Sequence, residues 1–498
     1  MSLYPLVNYR MMVYFKDIKF GEISAEQEKN ECPDLLIKGL IDDGGIVNKI
    51  IRGNKYLIYG QKGSGKSAIG TRIALEYKDS HEVRPRYCKM NDLDYKLFKQ
   101  FDTSRESNKS ERFSKNWSTI LYIAILDMFD RNPEYTALSK SAKDAIKYLK
   151  NANVLPSDKI SSIITKASKN KLIKIPIGEA NMETEFRYES HEELHEQLRH
   201  SVITSKSSAL QILLIDELDE VLSFKSEHYA ILSALLRATA QVNETLVDEG
   251  INVKIVLFIR TDMLDKLDYP NKQKVVSGYG EELSWYQEGV QPQDTNLIRL
   301  LNVRASLSAG TEIHDLFSYF NFPRYYRGKG IRKYILDNTR HLPRDIVQLM
   351  HYIQIQCRDK IDEKNLTVAI SRYSMDYFYG EIRDNLAGMI GETDRDNMLK
   401  LFTYLQSYDT TEGKLRELAE TNQLKIDFDK TLPILYDVGA IGNVSIFVDD
   451  GKKTKRYHFK YRERYSMYNK NLGIIIHLAL QHALKVKGVS SANIVDFE

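Results

Sequence analysis

The run Gly60-Gln-Lys-Gly-Ser-Gly-Lys-Ser67 constrains the fold more than any other eight residues of this chain. It follows a short apolar segment, Lys55-Tyr-Leu-Ile-Tyr59, and opens a helix-forming stretch that reaches about Tyr77. Gly60, Gly63 and Gly65 let the backbone curl so that successive N–H groups point inward at phosphate oxygens. The helix that follows aims the positive end of its dipole at the same anion. Lys66 is placed to reach the outer phosphates and Ser67 to hold Mg²⁺, with Gln61, Lys62, Ser64 and Ala68 completing the cradle.

Other strands support this loop. Val83 to Met90, Gln211-Ile-Leu-Leu-Ile215, Val253 to Ile259 and a weaker Glu282 to Trp285 read as strands, with a helix over Ser226 to Leu246 between the second and third. Strands alternating with helices predict a parallel sheet covered on both faces. The Gln211 strand delivers Asp216 to the carboxyl edge, where it can hold the Mg²⁺ shell. Glu217 beside it is suited to polarise an attacking water, which favours hydrolysis over binding alone. The Val253 strand ends in Arg260-Thr-Asp262. If it lies between the other two, Arg260 faces the terminal phosphate and stabilises its charge. The plainer alternative is a surface arginine, with Asp262 capping the next helix. His341-Leu-Pro-Arg-Asp345 opens a helix with Pro343 in its first turn, from which Arg344 would project towards the nucleotide.

The rest of the chain sorts into helical regions. Residues 1 to 53 read as a leader with short helices at Leu35–Leu40 and Ile46–Ile51, the latter stopped by Gly53. From about Asp92 to Ser207 the sequence is polar and helical, with apolar positions at Trp117, Ile120, Ile123, Leu126 and Phe129. After Asp294, a plausible N-cap, helix is expected almost unbroken to Leu386. Helices near 396–406, 412–421 and 428–438 then precede a hairpin of Val444–Val448, the turn Asp449-Asp-Gly451 and Arg456–Tyr461. Ile474 to Ala483 would close the chain as a helix. Three helices and a hairpin spell a winged helix.

Together the phosphate loop, the Asp216-Glu217 and Arg260 strand ends and the Leu342-Pro-Arg344 helix resemble an AAA+/STAND-type P-loop ATPase. The strand to Trp285 followed by Leu297-Ile-Arg-Leu-Leu-Asn-Val-Arg304 is similar to the start of that group's helical lid, and the likeness spans about residues 18 to 470. The implied fold is an α/β P-loop NTPase parallel sheet with a helical insertion (about 92–207), followed by an α-helical lid and a winged-helix domain. The implied boundaries are 1–293 for the core, 294–390 for the lid and 391–498 for the winged helix with its last helix. The resemblance implies Mg-dependent ATP binding and slow hydrolysis driving a conformational switch. It also implies a partner that is nucleic acid, another protein or a second copy, and an arginine supplied by a neighbour, for which Arg237 is a candidate. Two features depart from the group. Lys66 and Asp216 stand 150 residues apart, leaving room for the insertion, and Arg-Thr-Asp replaces the small polar residue common at that strand end, which favours the STAND-like branch.

Charge narrows the partners. The 71 basic and 68 acidic residues leave a net +3, so any nucleic-acid surface must be local. One such surface is the hairpin, where Lys452, Lys453, Lys455, Arg456, Lys460, Arg462 and Arg464 face only Glu463. It could track a DNA backbone or be a solvated edge. His191-Glu-Glu-Leu-His195 matches a zinc-protease helix, yet its surroundings are polar and no third ligand is evident. The aromatic Phe317–Arg327 stretch reads as lid packing rather than a base-stacking platform. Three widely separated cysteines, no signal-peptide pattern at the amino terminus and no apolar run near the ~20 residues of a membrane span predict a cytoplasmic protein. The absence of an Asn-Lys-x-Asp motif favours adenine over guanine.

Overall fold

The computed structural model describes residues 13–90, 98, 109–169, 190–218, 226–358, 360–449, 452–486 and 495–496. Two compact units divide the chain, Asp42–Ser284 on one side and Met1–Ile41 with Trp285–Glu498 on the other.

The first unit is built on a parallel sheet. Helix α1 (Ile46–Ile51) leads to β1 (Leu57–Gly60), the phosphate loop and α2 (Lys66–Glu76), then β2 (Val83–Lys89). Helices α3 (Lys109–Arg131), α4 (Lys140–Asn151), α5 (Ile160–Lys169) and α6 (His191–Ile203) separate β2 from β3 (Leu210–Asp216). Helix α7 (Ser226–Asp248), β4 (Val253–Arg260), two short helices and β5 (Gly280–Leu283) complete it. The strand order is β2-β3-β4-β1-β5, every pairing parallel. The inner strands are continuous apolar runs because helices bury both faces. The expected Glu282–Trp285 strand lies two residues earlier. Gly280 makes this possible, since a Cβ there would stand 2.3 Å from the Val276 carbonyl oxygen.

The inserted helices have their own buried stripe. Trp117, Ile120, Ile123, Leu126 and Phe129 of α3 are all fully buried, and Trp117 Nε1 donates to the Ile231 carbonyl of α7 at 2.9 Å. Asp127, also fully buried, accepts from Arg86 of β2 at 2.7 Å and from Arg131 at 3.2 Å. Those two cations keep an otherwise costly buried charge compensated and fasten the insertion to the sheet.

In the second unit the described part of the leader is structural. Arg304, on α8 (Asn296–Ala309), forms a buried two-pronged pair with Glu28 at 2.8 and 3.1 Å and donates to the Phe20 and Gly39 carbonyls. The N-cap of α8 is Thr295, not Asp294, which ends a 3-10 turn at Pro292–Asp294. Helix α9 (Ile331–Asp337), α10 (Pro343–Gln356), α11 (Glu363–Arg372), a π-helical turn at Tyr373–Phe378 and α12 (Tyr379–Leu386) follow. The stretch from Asp294 to Leu386 is not unbroken helix. A ribbon of Tyr325–Tyr326 and Lys329–Gly330 interrupts it, turned by Arg327 and Gly328 at φ 49° and 78°.

Helix α13 (Glu392–Thr403), β6 (Asp409–Thr410), α14 (Glu412–Thr421) and α15 (Phe428–Asp437) precede the hairpin β7 (Ile441–Asp449) and β8 (Lys452–His458). Its strands begin earlier than expected, and residues 450–451 of the turn lie outside the described residues. The predicted helix from Ile474 is instead strand β9 (Gly473–Ile476), with α16 (Leu478–Leu484) behind it. Three successive β-branched isoleucines fit a pleated surface better than a helix. Strand β9 lies between β6 and β7. Ile446, Phe447 and Val448 of the hairpin are exposed.

Candidate phosphate-binding site

Strand β1, between β4 and the edge strand β5, ends at Gly60. A Cβ at Gly60 would meet Ser64 Oγ at 2.6 Å and the Leu283 carbonyl at 2.9 Å, so no side chain fits there. Gly63 and Gly65 hold φ of 88° and 98°, the left-handed region where glycine carries no Cβ penalty. Gly65 serves as N-cap of α2 with no side-chain cap, leaving the first N–H groups of that helix directed into the loop. Lys66 Nζ donates to the Gly60 and Gln61 carbonyls at 3.0 and 2.9 Å, folding its ammonium over the loop's own backbone. Gln61, Lys62, Ser67 and Ala68 are half-buried around it, and Ser64 is buried.

The two carboxylates stand at the end of β3. Asp216 is 3% exposed; its Oδ1 accepts from the Glu217 N–H at 2.8 Å and its Oδ2 from the Tyr87 hydroxyl at 2.5 Å. Glu217 turns the chain through φ 59°, a left-handed conformation that costs a non-glycine residue roughly 1–2 kcal/mol. Its Oε1 pairs with Lys89 Nζ at 2.8 Å. Both carboxylate partners come from β2, whose Lys89 is the cross-strand neighbour of Asp216.

Arg260 ends β4, between the loop strand and the carboxylate strand, as the expectation required. It is the register partner of Gly60. Its guanidinium grips Asp262 through Nε–Oδ1 at 3.0 Å and Nη2–Oδ2 at 2.7 Å. Burial pushes the Asp262 carboxyl up, but Arg260, Lys266 and Lys66 outweigh it and hold it below the usual carboxylate range. Gly60, Lys66, Ser67, Asp216, Glu217 and Arg260 thus share one edge of one sheet. Arg344 lies half-buried in the first turn of α10, in the second unit, and Arg237 half-buried on α7.

Sequence reasoning missed Tyr87 and Lys89. The only signal was two polar residues at alternate positions near the end of a strand, and their targets became visible only once β2 was paired with β3. The oxygen donors Ser67 and Asp216 suit a hard cation such as Mg²⁺.

The competing signals have structural explanations. His195 faces Thr119 Oγ1 at 3.1 Å and the edge of Tyr122, and burial lowers its pKa to about 4. Its helix is not polar all round: Leu194, Leu198 and Val202 are buried. Among the described residues no group of three His, Cys, Asp or Glu is arranged to hold a metal ion. Much of the hairpin's basic charge is used internally. Lys455 pairs with Asp409, Arg462 with Asp337 at 3.4 Å, and Lys460 donates to the Ser466 carbonyl at 2.9 Å. Arg456 remains 54% exposed, near Glu288 and Glu463, while the side chains of Lys452 and Lys453 lie outside the described residues. Phe317 packs against Phe322 in the core.

The parallel sheet, the glycine loop running into α2 and the Asp-Glu strand end define a P-loop NTPase fold. No family model matches the sequence, and no curated protein matches it. Three solved structures are similar over most of the chain. Cdc6p from Pyrobaculum aerophilum is 12% identical, with 94% of this chain and 97% of that one covered at a TM-score of 0.32. A Drosophila ORC structure bound to DNA is 9% identical, with 97% of each covered at 0.30. The RuvB Holliday-junction branch-migration motor of Thermotoga maritima is 13% identical, with 88% and 95% covered at 0.27. At such scores none of the three defines this chain's role. No helix among the described residues is long and apolar enough to cross a membrane.

Proposed function

We propose that the chain is an AAA+-type ATPase that binds Mg·ATP at Gly60–Ser67 and hydrolyses it slowly, the cycle driving a conformational switch in a regulatory, signalling or defence-type assembly. One observation carries this reading: the loop ends the inner strand β1, with the Arg260 strand and then the Asp216-Glu217 strand beside it. The loop N–H groups and Lys66 bind the phosphates. Ser67 and Asp216 hold Mg²⁺, which neutralises charge on the phosphate oxygens when bound. Glu217 accepts the proton of the attacking water, and to do so its carboxylate must turn from Lys89. Arg260, released from Asp262, stabilises charge developing on the γ-phosphate. A neighbour's Arg237 would complete a site between copies. The fork from Arg260 to Asp262 and the ion pair on Glu217 favour slow basal turnover, since each must break before catalysis.

A second reading, an ATP-gated DNA-binding protein, is favoured by the projecting hairpin with half-exposed Arg456 and by Lys452 and Lys453 in its second strand. The three helices and hairpin would then act as a winged helix, with Lys455 held by Asp409.

Steady-state ATP hydrolysis by the wild type and Glu217→Gln, each with and without duplex DNA, tests both. Turnover lost in the variant and indifferent to DNA supports the protein-coupled switch. Turnover raised by DNA, with binding that weakens steeply in salt and on Arg456→Ala, supports the second reading. Turnover equal in wild type and variant contradicts both.

A further inference from the structure

We propose that Tyr87 is a positioning residue for the divalent cation: its hydroxyl orients the Asp216 carboxylate towards the ion. This rests on the Mg·ATP reading above and adds to it a residue from a neighbouring strand.

Three independent features place Tyr87 there. Strand β2 lies against β3 with Tyr87 opposite Leu214, two residues before the Lys89–Asp216 pair, so the tyrosine and Lys89 point to the same face of the sheet. From that face the hydroxyl donates to Asp216 Oδ2 at 2.5 Å. The ring sits over Gly70 of α2, one turn beyond Ser67. A Cβ at Gly70 would stand 2.6 Å from Tyr87 Cε2 and 3.1 Å from Cδ2, so the helix has a slot only a glycine leaves open.

The chemistry follows from which lone pairs are used. Oδ1 of Asp216 takes the Glu217 N–H and Oδ2 takes the Tyr87 O–H, so the carboxylate is fixed at both oxygens. Each oxygen keeps a second lone pair for the metal or its water. A phenol is protonated at neutral pH, so Tyr87 is the donor in its bond to Asp216. Donors of this kind, behind a metal ligand, commonly contribute about 10–100-fold to metal affinity. A tyrosine there only to fill space would need the ring and not the hydroxyl.

Tyr87→Phe separates the two roles, because it keeps the ring in the Gly70 slot and removes one oxygen. ATP binding to the full chain is measured by isothermal titration in EDTA and across a Mg²⁺ series, with thermal melting alongside. The expected result is an unchanged melting temperature and unchanged affinity in EDTA, with the Mg²⁺ concentration for half-maximal enhancement raised about 10–100-fold. A Mg²⁺ requirement within about twofold of wild type overturns the proposal, as does an equal loss of affinity in EDTA, which would mean the hydroxyl serves the loop and not the cation. A wild type that binds ATP tightly with no response to Mg²⁺ overturns the site reading and this proposal together.

Discussion

Lys89 Nζ stands 2.8 Å from Glu217 Oε1, tying the carboxylate proposed to activate water to the end of the adjacent strand. Both side chains are mostly shielded, at 29% and 20% exposed, so the pair is not a loose surface contact. The same strand supplies Tyr87 to Asp216. Strand β2 therefore holds both carboxylates of β3, one with a hydroxyl and one with an ammonium.

Freeing Glu217 from that ion pair should speed catalysis. Lys89→Met is expected to raise basal ATP turnover several-fold, while Glu217→Gln lowers it by about 10²–10⁴, the usual contribution of a general base. The double variant should match Glu217→Gln. Turnover assays on the three proteins check this, and a Lys89→Met enzyme slower than wild type would show that the lysine assists the reaction.

The leader should be needed for the stability of the second unit. Arg304 and Glu28 are 6% and 5% exposed, and removing either leaves its partner as an uncompensated buried charge. Glu28→Ala is expected to cost about 3–5 kcal/mol in urea unfolding. Proteolysis should then cut within the first 41 residues faster than in wild type. A loss below about 1 kcal/mol, typical of an exposed pair, would contradict it.

Acid should weaken the same unit through buried histidines. His477 donates from Nε2 to the Thr339 carbonyl at 3.1 Å and accepts the Ala479 N–H at Nδ1, an arrangement that requires the neutral ring. Burial, with Arg340 and Arg462 nearby, lowers its pKa to about 3 despite Asp345 and the Thr339 bond; His341 is lowered to about 3 and His482 to about 4. Because the folded values lie below the ordinary 6.5, the unfolded chain binds more protons between them, so stability is full above pH 6.5 and falls as pH drops through that window. Each histidine should steepen the loss by up to about 1.4 kcal/mol per pH unit. Unfolding measured from pH 7.5 to 5 checks the slope, and His477→Gln should flatten it; an unchanged slope would contradict the assignment.

The parts legible in the sequence were those that depend on adjacent residues. The loop is written in eight consecutive positions, and Asp216-Glu217 follows directly from the apolar strand before it. What escaped notice depends on strand order or distant partners. Tyr87 and Lys89 acquire meaning only when β2 neighbours β3. The hairpin's basic run overstates its free charge because Asp409 and Asp337 lie 46 and 125 residues from their partners Lys455 and Arg462. Ile474–Ile476 reads as helix in the sequence because a short apolar run carries no period that distinguishes helix from strand. Asp294 lost the cap to Thr295 because Pro292 starts a 3-10 turn one step earlier.

The most direct test is ATP binding itself. Isothermal titration of ATP in Mg²⁺ into the wild type should give one site per chain, and Lys66→Ala should lose at least about tenfold in affinity with its melting temperature unchanged, the loss expected for one charged hydrogen bond. Wild-type protein that takes up no ATP, or a Lys66→Ala protein that binds it equally well, would contradict the assignment of Gly60–Ser67 as the nucleotide site.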